Sequence, residues 1–202
     1  MEVTFLNISQ EKQNRIRTVA MEEFATHGYE QASTNRIVKT LGVSKGSLFK
    51  YFRTKGVLYT YLVSYATTAL VDHLETQVTG PLYEKGLTSL SWREKLLAYG
   101  EVELRYLQAD PLTYRFFYRL VKDIRLPALQ PISKQLQEEA TAYFQQMNII
   151  LDLPPLLLHH VGFVIQGYNE QFFHLHGFEG YTDETITNYL DGIKAHLDLV
   201  KD

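Results

Sequence analysis

The chain has 202 residues, 45% of them hydrophobic, with 20 basic and 23 acidic side chains and no cysteine. This allows one large domain, or a small one joined to a medium one, and excludes disulfides and thiolate metal sites. No stretch of about 18 residues lacks charged or strongly polar side chains, so no membrane-spanning helix is expected. The opening MEVTFLNISQEKQ has no basic segment followed by an apolar one. No secretion signal is read there, and a cytoplasmic location is expected.

Helical signals run along the whole chain, and the expected class is all-α with about nine helices. Ser9 is a good N-cap for a first helix that carries Ile16, Val19, Ala20 and Phe24 at helical spacing and stops at Gly28. Ser33 or Thr34 opens a short second helix, ended by Gly42. Ser44 caps a third, with Leu48 and Phe52 on one face. Thr54 caps a long fourth, with Leu58, Tyr61, Leu62, Tyr65 and Ala69 on one stripe, broken at Thr79–Pro81.

Five more helices are predicted beyond that break. Ser91 and Glu94 form a capping box for a helix reaching about Ala109, and Asp110-Pro111 is an N-cap followed by a first-turn proline. Pro127 and Pro131 lead into a helix ending near Met147. Pro154-Pro155 open an apolar helix from Leu156 to about His176, and Asp183 caps the last helix.

Charge is unevenly spread. Residues 1–60 hold nine basic and five acidic side chains, whereas residues 61–202 hold eleven and eighteen. No acid lies between Glu30 and Asp72, a span that contains Arg36, Lys39, Lys45, Lys50, Arg53 and Lys55. A positive module joined to a negative one points to a polyanion met by the first part only. The two short helices joined through LGVS read as a helix-turn-helix, with Gly42 in the turn and Val43 filling the angle. The second helix would then enter the major groove, led by Lys45, Gly46 and Ser47, with Lys50 reaching a guanine edge or a phosphate. Tyr51 can donate its hydroxyl to a phosphate. Lys55 lies beside the free N–H groups that open the fourth helix.

The stretch STNRIVKTLGVSKGSLFKYFRTKGVL, residues 33–58, resembles the DNA-binding signature of the TetR (tetracycline-repressor) family. The resemblance implies a homodimer, a palindromic double-stranded DNA operator, a C-terminal pocket for a small-molecule effector, and a dimer face formed by the last two helices. It divides the chain into a DNA-binding domain, 1–54, and a ligand-binding and dimerisation domain, 55–202. By position it makes Ser33, Thr34, Arg36, Ser44, Lys45, Gly46, Ser47, Phe49, Lys50, Tyr51 and Lys55 the DNA-facing set. Three positions depart from the family pattern: Phe49 stands for tyrosine, Val38 for alanine and Gly56 for an acidic residue. A glycine there weakens helix propensity by about 1 kcal/mol.

An effector pocket needs apolar walls and a few polar groups, and Tyr99, Tyr106, Phe117, Phe144, Gln166 and Asn169 are the expected lining. A helix apolar nearly all round requires both its own core and a partner. Leu157, Val161, Val164 and Tyr168, with Ile186, Tyr189, Ile193 and Leu197 of the last helix, are therefore the expected seam between subunits. His160 and His174 lie fourteen residues apart on one helix, about 20 Å, too far to share an ion. No metal or cofactor is assigned. The expected function is a ligand-responsive transcriptional regulator, in the first instance a repressor. The competing readings are an architectural DNA-binding dimer without a ligand and a small helical enzyme, for which no catalytic constellation stands at persuasive spacing.

Overall fold

The computed structural model describes residues 3–79, 90–176 and 182–200, and among these the chain is all-α. A one-turn helix α1 (Val3–Leu6) precedes α2 (Gln10–Gln31), α3 (Thr34–Leu41), α4 (Lys45–Tyr51), α5 (Lys55–Leu74), α6 (Trp92–Ala109), α7 (Pro111–Asp123), α8 (Ser133–Leu151), α9 (Pro155–His176) and α10 (Asp183–Leu197). A π-helical turn, Glu75–Thr79, follows α5, and a 3-10 turn, Pro127–Ile132, precedes α8. Pro81, read as part of the break after the fourth helix, lies outside the described residues.

Local chemistry places most of the boundaries. Ser9, Ser33, Ser44 and Ser91 each accept a hydrogen bond from a backbone N–H three residues on, and Ser91 and Glu94 close the expected box. The Thr54 hydroxyl accepts from the Val57 N–H at 3.1 Å. Gly42 takes the left-handed conformation that ends α3, φ 68° and ψ 29°. At the last helix the cap is Thr182, not Asp183: its hydroxyl accepts from Thr185 N–H, and Asp183 and Glu184 fill the first turn, where acids suit the helix dipole.

The described residues form two compact units, residues 1–68 with 112–141 and residues 69–111 with 142–202. The first unit is built around aromatic rings. Phe24, Tyr59 and Phe116 are almost wholly buried, and Tyr59 meets the rings of Phe24, Tyr29 and Phe116 at 4.8, 4.9 and 5.6 Å. Each buried aromatic or Leu side chain there contributes roughly 1.5–3 kcal/mol of transfer free energy. α2 bends where Gly28 takes φ 71°, and a Cβ on Gly28 would overlap the side chains of Arg119 and Asp123. Beyond the bend the Tyr29 N–H donates to Asp123 Oδ2 at 2.8 Å, and Arg119 Nε donates to the same oxygen at 3.1 Å. The residue looks like a helix stop in sequence; in the fold it is a joint, because one more helical turn follows it. Gly56 is also explained by packing: a Cβ there would lie 3.2 Å from Ile132 and 3.3 Å from the Tyr29 hydroxyl.

In the second unit α6, α9 and α10 pack together. Leu96, Tyr99, Leu104 and Leu107 of α6 are buried, as are Ile186, Tyr189, Ile193 and Leu197 of α10. Arg93 donates to the carbonyls of Leu197 and Val200 at the end of α10, the first of which also accepts from the Val200 N–H. Tyr168 lies flat against Gly192, where a Cβ would overlap its hydroxyl, and its ring meets those of Phe172, Tyr189 and His196.

Candidate nucleic-acid interface

α3 and α4 are held at their turn by Val43, whose N–H donates to the Val38 carbonyl at 3.1 Å and whose side chain packs on the core. Only Leu48 of α4 is buried, together with its C-cap Phe52. The opposite face, Ser44, Lys45, Gly46, Ser47 and Lys50, is exposed. The Ser44 hydroxyl accepts from Ser47 N–H at 3.1 Å and shares a hydrogen bond of 2.9 Å with the Ser47 hydroxyl. Phe49 is half-buried and supports Lys45, whose ammonium lies 5.6 Å from its ring centroid. Lys50 forms no ion pair or hydrogen bond among the described residues. A Cβ on Gly46 would meet nothing closer than the Ser44 hydroxyl at 3.9 Å. The fold itself therefore does not require glycine there, whereas close approach of a second backbone would.

The flanking cations are arranged differently. Arg36 is engaged with Glu23, at 2.6 Å, and donates to the Gln31 carbonyl at 2.7 Å. Burial alone would raise the Glu23 carboxyl, but hydrogen bonds from Arg36 and from Ser33 N–H outweigh it and hold the group below its ordinary range. Lys55 is turned inward. Its ammonium donates to the carbonyls of Tyr29, Glu30 and Ala32 at 2.8, 3.2 and 3.3 Å, so it caps the end of α2. Burial lowers its pKa, partly offset by Glu30. Reaching a phosphate would require Lys55 to give up these carbonyls. Ser33 caps α3, Thr34 is its half-buried first residue, and Tyr51 is half-buried with its ring 5.6 Å from Phe5.

The residues expected to line a pocket do not form one set. Tyr99 is 1% exposed, its hydroxyl has no hydrogen-bond partner among the described residues, and burial, with Glu103 and Glu75 nearby, pushes its pKa up. Tyr106 meets the His73 ring at 4.9 Å. Phe117, however, packs on the core of the first unit, beside Phe116, because α7 belongs to that unit. The side chains of Phe144, Gln166 and Asn169 lie outside the described residues. Of the expected seam, Val161, Ile186, Tyr189, Ile193 and Leu197 are buried within the single chain, and Leu157, Val164 and Tyr168 are half-buried. α10 has one apolar stripe and uses it on its own subunit. Among the described residues, the large apolar side chains open to solvent on α9 are Leu156, 85% exposed, and Phe163, 72% exposed.

Residues 16–62 match the family model described as bacterial regulatory proteins, tetR family. The match runs from within α2 into α5 and so contains the whole helix-turn-helix. Among sequence relatives, an HTH-type transcriptional regulator of Staphylococcus aureus is 31% identical over 67 residues, which are 33% of this chain and 36% of that protein. The likeness of the whole chain lies in the fold. A TetR-like regulator from a Rhodococcus species superposes with TM-score 0.68 at 15% identity, covering 96% of this chain and 99% of the other. The regulator FadR of Bacillus subtilis, solved with stearoyl-CoA, gives TM-score 0.69 at 16% identity, with 91% and 96% covered. These two likenesses of fold extend over the all-helical second unit, which the family model does not reach.

Proposed function

We propose that this protein is a DNA-binding transcriptional regulator that acts as a homodimer on a palindromic operator and is released from it by a small apolar or amphipathic effector. The observation that carries the reading is α4: a short helix whose buried side is one leucine and whose outer side presents Ser44, Lys45, Gly46, Ser47 and Lys50 together. Two such helices about 34–36 Å apart would enter successive major grooves. The division into a DNA-binding domain at 1–54 and an effector and dimerisation domain at 55–202 is part of this reading, as is repression over activation. The pairing surface is placed on the outward side of α9, around Leu156 and Phe163, with Leu157 and Val164 at its edge. Support for an amphipathic effector comes from the FadR neighbour, which holds an acyl-CoA, and from the buried Tyr99 hydroxyl, which has no hydrogen-bond partner among the described residues.

The test is selection of a duplex from a random-sequence library, followed by titration of wild type and S47A on that duplex and on a scrambled one. Loss of one base-edge contact should lower cognate affinity by about 1–3 kcal/mol and leave scrambled binding nearly unchanged. Equal losses on both duplexes would reduce Ser47 to a backbone contact, and failure to enrich any duplex would end the DNA-binding reading.

A further inference from the structure

α4 has seven residues, well under the length at which a helix holds its own shape in water. Its orientation therefore comes from what it leans on. One support is α3. The other is the one-turn helix at the start of the chain, which lies outside the helix-turn-helix motif and outside residues 16–62. Phe5 of α1 is 0% exposed. Its ring meets Tyr51, the last residue of α4, edge-on at 5.6 Å, and the C-cap Phe52 at 4.8 Å. It also meets Tyr61 of α5 at 5.3 Å, and Tyr61 and Phe52 meet each other at 5.2 Å.

This seat is itself fixed from α2. The Gln13 side-chain amide, 5% exposed, donates to the carbonyls of Leu6 at 3.3 Å and Ile8 at 2.9 Å, which holds the link between α1 and α2. The Gln13 carbonyl oxygen accepts from Arg17 at 2.8 Å. Arg17, 7% exposed, donates to the Tyr61 hydroxyl at 2.6 Å and lies over the rings of Phe5, Tyr61 and Tyr65. The buried guanidinium is satisfied by Gln13, Asn14, Tyr61 and aromatic faces, with no carboxylate among the described residues. Burying a cation is costly unless its hydrogen bonds are met, so this network is a specific arrangement and not loose packing of a chain end.

We propose that α1 braces the recognition helix, with Phe5 as a positioning residue that sets the pitch of α4 and the aim of Tyr51. The proposal rests on the DNA-binding reading for its consequence, not for its geometry. A brace lets the surface of α4 stay polar, because the apolar contact that orients it is supplied from outside the motif.

Two measurements on full-length F5A and F5L decide it. The first is amide hydrogen exchange at a temperature where both variants remain folded by circular dichroism. In F5A the amides of residues 48–52 should exchange about tenfold faster while those in the middle of α2 change little, and F5L should restore much of the protection. The second is the ratio of affinities for the selected and scrambled duplexes, which should fall about tenfold in F5A through lost cognate binding. Uniform or unchanged exchange would overturn the brace, as would a wild-type ratio in F5A. If F5A does not fold, F5V, which keeps an apolar side chain but removes the ring, takes its place in both measurements. Should no duplex be selected, the regulatory reading fails, and the exchange experiment still decides whether Phe5 holds α4.

Discussion

Two cationic regions of the first unit lie close in sequence and behave differently. Around the bend of α2, Arg36 and Lys55 are bound to protein: a carboxylate and three carbonyls. On α4, Lys45 rests over a ring and Lys50 is open to solvent. Sequence counts both as one acid-free basic stretch. The fold separates them into cations that hold the scaffold and cations left for a partner. A positive stretch therefore overstates the number of phosphate contacts, and the position of each side chain's nearest oxygen is the better guide.

The comparison is broken most severely at the bend. G28A forces a side chain into the left-handed region and against Arg119 and Asp123, so a loss of about 3 kcal/mol or more is expected in denaturant unfolding. A variant of wild-type stability would mean that the joint is not as rigid as its packing. Next, D123A leaves the Tyr29 N–H buried without its acceptor, and about 2 kcal/mol should be lost. Unchanged unfolding there would assign the bend to Gly28 alone.

A sharper contrast comes from two lysines. K50A should flatten the dependence of log K on log salt by about one charge and leave the melting temperature unchanged. K55A should lower the melting temperature and leave that slope nearly as it was. An exchange of these outcomes would show that Lys55 leaves its carbonyls when DNA binds. The smallest effect belongs to Glu23. Its carboxyl is held below the ordinary value of 4.5 in the folded protein, so its stabilisation is present above that value and lost as pH falls through the lowered one. Wild type should exceed E23Q in stability above about pH 5, and the two should converge in acid. A gap that persists at low pH would trace the difference to packing.

The helices were legible because their ends are marked locally. Serines at 9, 33, 44 and 91 read as caps in sequence and serve as caps in the fold. The recognition helix was legible for the same reason, together with its acid-free neighbourhood. What escaped was whatever depends on residues far apart. Nothing near Lys55 in sequence announces the carbonyls of residues 29–32, and nothing near Gly56 announces Ile132. α1 is too short for a periodic signal, although Val3, Phe5, Leu6 and Ile8 ahead of the Ser9 cap are an apolar cluster that a polar leader would not carry. The stripe on α10 reads as apolar in sequence and is buried within the single chain, and periodicity shows that a face is buried and not by what.

Gly46 carries a consequence for anyone who would retarget this protein. Because the fold leaves room for a Cβ there, alanine at this position should strengthen an isolated α4 by up to about 1 kcal/mol. The chain forgoes that gain at the one point of the helix where a ligand's backbone could come nearest. On the DNA-binding function proposed above, a saturation library at position 46 would sort variants by duplex preference with little interference from misfolding, which makes it a clean starting position for altering which sequence is read.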